Sequence, residues 1–199
     1  MYPVMLNVKN RVCTVIGGGE AARIKAAALV KEGAQVRIIS PQLAADFADL
    51  DIDHIAKKYE KSDLNDSFLT IAATNDEELN SQIISDAAKL GILSLNASNS
   101  QNSDFTPMAH ISEGDVTVAA STGGAYPMLA KIICSDVDIE EYNKICHVLR
   151  KQRAVILDKN IDRKAKQELF RALVTDEMIS LGKKDIVGFE EMAQRITEE

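Results

Sequence analysis

"VIGGGEAARIKAA" (residues 15–27) places three glycines between an apolar run and an alanine-rich one. "RVCTVI" (11–16) is apolar and rich in β-branched residues, which predicts a buried strand. The stretch from Glu20 to Glu32 carries Ala22, Ala26, Leu29 and Val30 on one face, which predicts a helix stopped by Gly33. Gly17-Gly18-Gly19-Glu20-Ala21-Ala22 therefore sits at a strand–helix junction and fits the pattern GxGxxA. That is the dinucleotide fingerprint in its alanine variant. In it, Gly17 permits a tight turn, Gly19 lets the backbone approach a pyrophosphate, and Ala22 lets helix and strand pack closely. The helix N-terminus turns unpaired N–H groups toward the phosphates.

The same rhythm continues downstream. "QVRII" (35–39) and "FLTIAAT" (68–74) read as strands, 76–91 as a helix with acids in its first turn, and "ILSL" (92–95) as a short strand. Alternating strands and helices predict an α/β fold with a parallel sheet, of Rossmann type. "NASNSQNSD" (96–104) reads as a loop, 115–121 as a further strand, and "TGGAYP" as its end, with a helix starting near Tyr126–Pro127. Beyond about residue 136, Ile139, Tyr142, Ile145 and Leu149 recur at helical spacing, as do Leu169, Phe170, Leu173 and Val174, so the last third is helical.

The fingerprint lacks one usual companion. An acid that bonds the ribose hydroxyls is expected at the end of the second strand, and Ser40 stands there, followed by Pro41-Gln42. Arg37 lies within that strand, facing either solvent or a 2′-phosphate. Local chemistry thus leaves NAD and NADP open.

Bulk properties narrow the function classes. The chain has 199 residues, 46% hydrophobic and 27% charged, as in ordinary globular proteins. A net charge of -7 argues against a nucleic-acid partner, which needs a basic footprint. No apolar run approaches the length of a membrane span, and the first residues do not read as a signal peptide. Cys13, Cys134 and Cys146 are odd in number and lack CxxC spacing, which suits reduced thiols in the cytoplasm and gives no metal motif.

Several blocks together resemble the precorrin-2 dehydrogenase family, the N-terminal module of siroheme synthases. They are "MYPVMLNVKNRVCTVIGGGEAA", "GAQVRIISPQL", "FLTIAATNDEELN" and "STGGAYPMLA", in that order. The early Tyr-Pro-Val-Met-Leu segment, read as a strand, and the late Ser-Thr-Gly-Gly loop separate this pattern from ordinary dinucleotide-binding dehydrogenases. The resemblance implies a Rossmann NAD-binding domain (1–112), a dimerisation region (113–137) and a small helical C-terminal domain (138–199), assembled as a homodimer. It implies NAD-dependent oxidation of precorrin-2 to sirohydrochlorin, with iron insertion in some members. Cofactor contacts would then fall on Gly17, Gly18, Gly19, Glu20 and Ala21, on Pro41 and Gln42, and on Ala73, Thr74 and Asn75. Ser121, Thr122, Gly123 and Gly124 would offer donors to the carboxylates of the tetrapyrrole substrate, or simply cap a helix.

One departure bears on the chemistry. The family carries Asn-Val-Val-Asp in the loop that holds its proposed catalytic acid, and this chain reads Asn96-Ala97-Ser98-Asn99. Asn99 cannot act as a carboxylate base. Asp104 could supply one if the loop folds back, or could be a turn acid. His110 could assist proton transfer or hold iron in a chelatase, or be structural. Two rival readings stay open: a non-catalytic NAD(H)- or tetrapyrrole-binding relative, and a chelatase activity added to the oxidation.

Overall fold

The computed structural model describes residues 1–44, 47–99 and 102–198. The chain divides into two compact units, Met1–Pro107 and Met108–Glu199. Positions 100 and 101 of the loop expected over 96–104 lie outside the described residues.

The first unit holds β1 (Val12–Ile16), α1 (Glu20–Lys31), β2 (Gln35–Ile39), β3 (Ile52–Ile55), a 3-10 turn (Lys61–Leu64), β4 (Leu69–Ala72), α2 (Glu77–Leu90) and β5 (Leu93–Asn96). Its five strands are all parallel, in the order β3-β2-β1-β4-β5. The chain builds outward from β1 in one direction and then, beginning with β4, in the other. The seam between β1 and β4 is thus the switch point at which ligands bind in open α/β sheets. Ile16 pairs with Ala72 there, so the residues just past both strands, Gly17 and Ala73, meet.

Alternation along the strands fills a core on each face. Cys13, Val15, Val36, Ile38 and Ile71 pack with Ala22 and Ala26 of α1. Ile16, Ile39 and Ala72 pack with Leu64 and with Ile83 and Ala87 of α2. Both helices end as the sequence predicts. Gly33 follows α1 at φ 75°, and Gly91 caps α2 in the left-handed conformation. Asp76 caps the N-terminus of α2 by accepting from the Glu78 and Leu79 N–H groups.

The second unit opens with an antiparallel hairpin, β6 (Ala109–Glu113) and β7 (Val116–Ala120), turned at Gly114-Asp115. Helix α3 (Pro127–Ser135) buries Ala130 and Cys134, and the Cys134 thiol donates toward the carbonyls of Ala109 and Val118 on the hairpin. Helices α4 (Ile139–Asp158), α5 (Arg163–Ala172), α6 (Asp176–Lys184) and α7 (Ile186–Glu198) share a core of Ile145, Val148, Ile156, Leu173, Phe189 and Ala193. Thr197 donates to the buried Gln152 at 2.8 Å, tying α7 to α4.

Three local expectations change. Residues 1–8 form no strand: Pro3 has no N–H to give a ladder, and the first buried anchor is Val8. Strands β3 and β6 are present where none was expected, because "IDHI" and "AHISE" are short and only half-buried, with little apolar signal. The first boundary also differs from the expected residue 112, since β6 pairs with β7 and so belongs to the second unit.

Burial pushes the Cys13 thiol up to about 11 from an ordinary 9.0, with Arg11 pulling the other way. The unfolded chain loses this proton above pH 9 and the folded chain only near 11. Stability therefore falls as pH rises through that window. Urea unfolding of the wild type between pH 9 and 11 is expected to show this loss, and Cys13→Ala, compared at each pH, is expected to lack that part of the slope.

Candidate functional site

The glycine loop leaves β1 against the start of the β4–α2 connection. Gly17 is buried with φ 127°, in the region that side chains rarely adopt, and its N–H donates to the Ile39 carbonyl at 3.0 Å. A Cβ at Gly17 would collide with the Ala73 carbonyl group, lying 2.7 Å from its carbon. A Cβ at Gly18 would collide with the Gln42 carbonyl and lie 2.6 Å from the Ser40 Oγ. Gly19 differs: a Cβ there meets nothing within 4 Å. The first two glycines are thus required by backbone packing, whereas the third faces open space.

That space lies at the N-terminus of α1. Gly19 is the N-cap and no side chain caps the helix, so the first-turn N–H groups, beginning with those of Glu20 and Ala21, are available to an anion. An open cradle over uncapped N–H groups fits the pyrophosphate of a dinucleotide. Pro41 and Gln42 flank it, with the Ala44 N–H donating to the Gly18 carbonyl at 2.9 Å and Ser40 Oγ donating to the Gln42 carbonyl at 2.7 Å. Arg37 turns to Asp53 of β3 at 3.9 Å. A hollow of about 450 Å³ lined by Asn10, Gln35 and Arg37, among others, lies at the starts of the strands, the edge opposite to this cradle.

Ala73, Thr74 and Asn75 complete this rim of the sheet. Thr74 is held by Asn80 of α2, whose Oδ1 accepts from the Thr74 N–H at 3.1 Å and from its hydroxyl at 2.8 Å. Asn80 also donates to the Ser98 hydroxyl at 2.9 Å. Ser98 and Asn99 curl around Asn96, whose Oδ1 accepts from both of their N–H groups, at 3.0 and 3.3 Å. Asn99 is exposed on this loop and so stands on the same rim as Thr74.

Asp104 has a different setting. One carboxylate oxygen accepts from both the N–H and the hydroxyl of Ser94, each at 2.8 Å, and the Asp104 N–H donates to the Ser94 carbonyl at 2.9 Å. The acid is pinned beside the middle of β5, not at its carboxyl end.

His110 and Ser121–Gly124 belong to the second unit. His110 is exposed on β6, with Nδ1 3.3 Å from the Met108 carbonyl, and pairs in register with Ala119, two residues before Ser121. Ser121 Oγ accepts from the Gly123 N–H at 3.1 Å and Thr122 Oγ1 from the Tyr126 N–H at 3.0 Å. A hydroxyl that accepts from the backbone keeps its own hydrogen to donate, so both remain donors for a carboxylate. Among the described residues, no cluster of three or more His, Cys, Asp or Glu could hold a metal ion, and no helix is long and apolar enough to cross a membrane.

Sequence reasoning did not single out Asn80 or Ser98. Both sit in segments read by their apolar or turn pattern, and only the folded rim brings them together.

A doubly wound parallel sheet with this cradle defines a dinucleotide-binding protein. The family model described as "Putative NAD(P)-binding" matches residues 4–109, and the chain belongs to that family. It is 33% identical over 136 residues to a siroheme synthase of Chromobacterium violaceum, covering 66% of this chain and 29% of that one. It is 29% identical over 184 residues to a precorrin-2 dehydrogenase of Priestia megaterium, covering 89% of this chain and 91% of that one. The chain thus spans well under half the length of the siroheme synthases it matches. A solved structure titled "SirC, precorrin-2 dehydrogenase" superposes with a TM-score of 0.77 at 28% identity, covering 100% of both chains.

The contrast among the glycines is testable. Gly19→Ala is expected to leave urea unfolding within about 1 kcal/mol, the scale of an N-cap change. The same change should weaken NADH binding at least tenfold by fluorescence titration. Gly17→Ala is expected to lower stability by about 2 kcal/mol or more through its positive φ and backbone collision.

Proposed function

We propose that this chain oxidises precorrin-2 to sirohydrochlorin with NAD as hydride acceptor. The observation that carries the reading is the open cradle at Gly19 on the β1/β4 seam. The likeness to precorrin-2 dehydrogenases over the full length of the chain supports it. Uncapped N–H groups of α1 bind the pyrophosphate, while Pro41-Gln42 and Ala73–Asn75 flank the two halves of the dinucleotide. NAD held there would supply the nicotinamide as hydride acceptor.

The chain's own residues then bind and orient a polycarboxylate. Ser121 and Thr122 donate hydroxyl hydrogens to substrate carboxylates, and Gly123 and Gly124, at φ 63° and 87°, let the loop curve around them. Asn99 carries an amide where the family has an acid, so it can hold the substrate by hydrogen bonds but takes no proton. Asp104 anchors β5. The proton that leaves with the hydride passes to solvent. Exposed Tyr126 at the N-cap of α3, with Met128, Leu129, Ile132 and Ile133 on the helix, offers an apolar face that suits a homodimer in the region 113–137. Free thiols at Cys13, Cys134 and Cys146 suit the cytoplasm.

Anaerobic precorrin-2 and NAD are expected to yield NADH and the sirohydrochlorin absorption band. Asn99→Asp is expected to raise kcat several-fold and to add a pH dependence with an apparent pKa in the carboxylate range. Binding of NAD and tetrapyrrole by the wild type with no turnover would establish the rival reading, a binding module whose acid has been replaced.

A further inference from the structure

Asn80 makes a set of contacts that neither helix capping nor core packing requires. Its side chain is 0% exposed in the first turns of α2, and every hydrogen-bonding capacity of its amide is used. Oδ1 accepts the Thr74 N–H at 3.1 Å and the Thr74 hydroxyl at 2.8 Å, while Nδ2 donates to the Thr74 carbonyl at 3.0 Å and to the Ser98 hydroxyl at 2.9 Å. The orientation of the amide is fixed by its partners. A backbone N–H can only donate and a carbonyl can only accept, so Oδ1 and Nδ2 have one assignment.

That polarity propagates. Ser98 accepts from Asn80 and therefore uses its own hydrogen on Asn96 Oδ1, at 3.0 Å. The same Asn96 oxygen accepts the backbone N–H groups of Ser98 and Asn99. A run of hydrogen bonds thus leads from Thr74 through Asn80 and Ser98 to Asn96, whose Oδ1 also accepts the N–H of Asn99. It begins at the peptide that abuts Gly17 and ends at the loop where the family holds its acid. Such chains strengthen one another, and their buried members have one low-energy arrangement.

We propose that Asn80 is a positioning residue for the hydride transfer. It fixes the Thr74-Asn75 rim on the cofactor side and the Ser98-Asn99 loop on the substrate side in one mutual placement. The proposal rests on the reading of the site as an NAD-dependent oxidation centre. Asn80 itself touches neither reactant. Ser98 links the two halves, so losing it frees only the substrate-side loop, whereas losing Asn80 frees both. Placement at this level matters because misalignment of reacting groups by about 1 Å costs on the order of a hundredfold in rate.

The test uses the full chain with Asn80→Ala, Ser98→Ala and the double variant. Asn80→Ala is expected to raise the NADH dissociation constant at least tenfold in a fluorescence titration and to lower kcat at least tenfold. Ser98→Ala changes an exposed residue and keeps the Asn80–Thr74 bonds. It is expected to lower kcat three- to tenfold with NADH affinity within twofold of the parent, and to speed hydrogen exchange of the 97–99 amides. The double variant is expected to match Asn80→Ala in kcat, since both changes cut one chain. Folded Asn80→Ala with parental NADH affinity overturns the proposal, as do kcat losses that multiply in the double variant. If Asn80→Ala does not fold, Ser98→Ala decides through its kcat and its amide exchange, and parental values of both overturn the proposal. A parent that binds NADH but does not turn over refutes the oxidation reading instead, and the NADH titration and amide exchange still judge the role of Asn80.

Discussion

Everything at the candidate site depends on how closely the backbones after β1 and β4 approach each other. Gly17 and Ala73 follow the paired strand ends Ile16 and Ala72, and the packing leaves no room for a Cβ between them. This contact brings the turn that ends β1 onto the β4–α2 connection. It therefore sets where α1 begins and where its uncapped N–H groups point. A dinucleotide site of this kind is a consequence of main-chain proximity, with side chains added around it.

The second layer of organisation is polar and buried. Thr74, Asn80 and Asn96 sit at or just behind the carboxyl edge of the sheet, where strands end and backbone groups lose their ladder partners. Buried polar atoms there must be satisfied or they destabilise the fold. The amides of Asn80 and Asn96 meet that need for the loops around residues 74 and 98. In doing so they also specify the loop shapes, because an amide with all its partners fixed tolerates few rearrangements.

The sequence carried the fold more fully than the site. Gly17–Ala22, the apolar strand 11–16 and the stop at Gly33 act within a few residues of one another, so periodicity and turn chemistry read them directly. Strands β3 and β6 escaped because each is short and half-buried, and its strand character comes from its neighbour in the sheet. The first eight residues misled for the opposite reason: they are apolar, but Pro3 and the absence of a described partner strand leave them unpaired. At the site, glycines and turn residues were legible by type, while Asn80 was not. Its role is defined by contacts six and eighteen residues away, and nothing local marks it. Asp104 is legible as an acid, but only folding reveals that Ser94 holds it.

That Ser94–Asp104 pairing has a consequence for solution behaviour. Strand β5 ends its sheet, and a free flank of that kind is a template for pairing with another molecule. Residues 103 and 104 run along it and occupy it. Asp104 takes the N–H and carbonyl of Ser94, and the Ser103 hydroxyl takes the N–H of Asn96. The carboxylate also leaves a negative charge on the outermost flank of the sheet. Asp104 thus helps keep this flank covered: loss of its side chain would free the Ser94 N–H, while the Asp104 N–H and the Ser103 hydroxyl would still hold their strand partners.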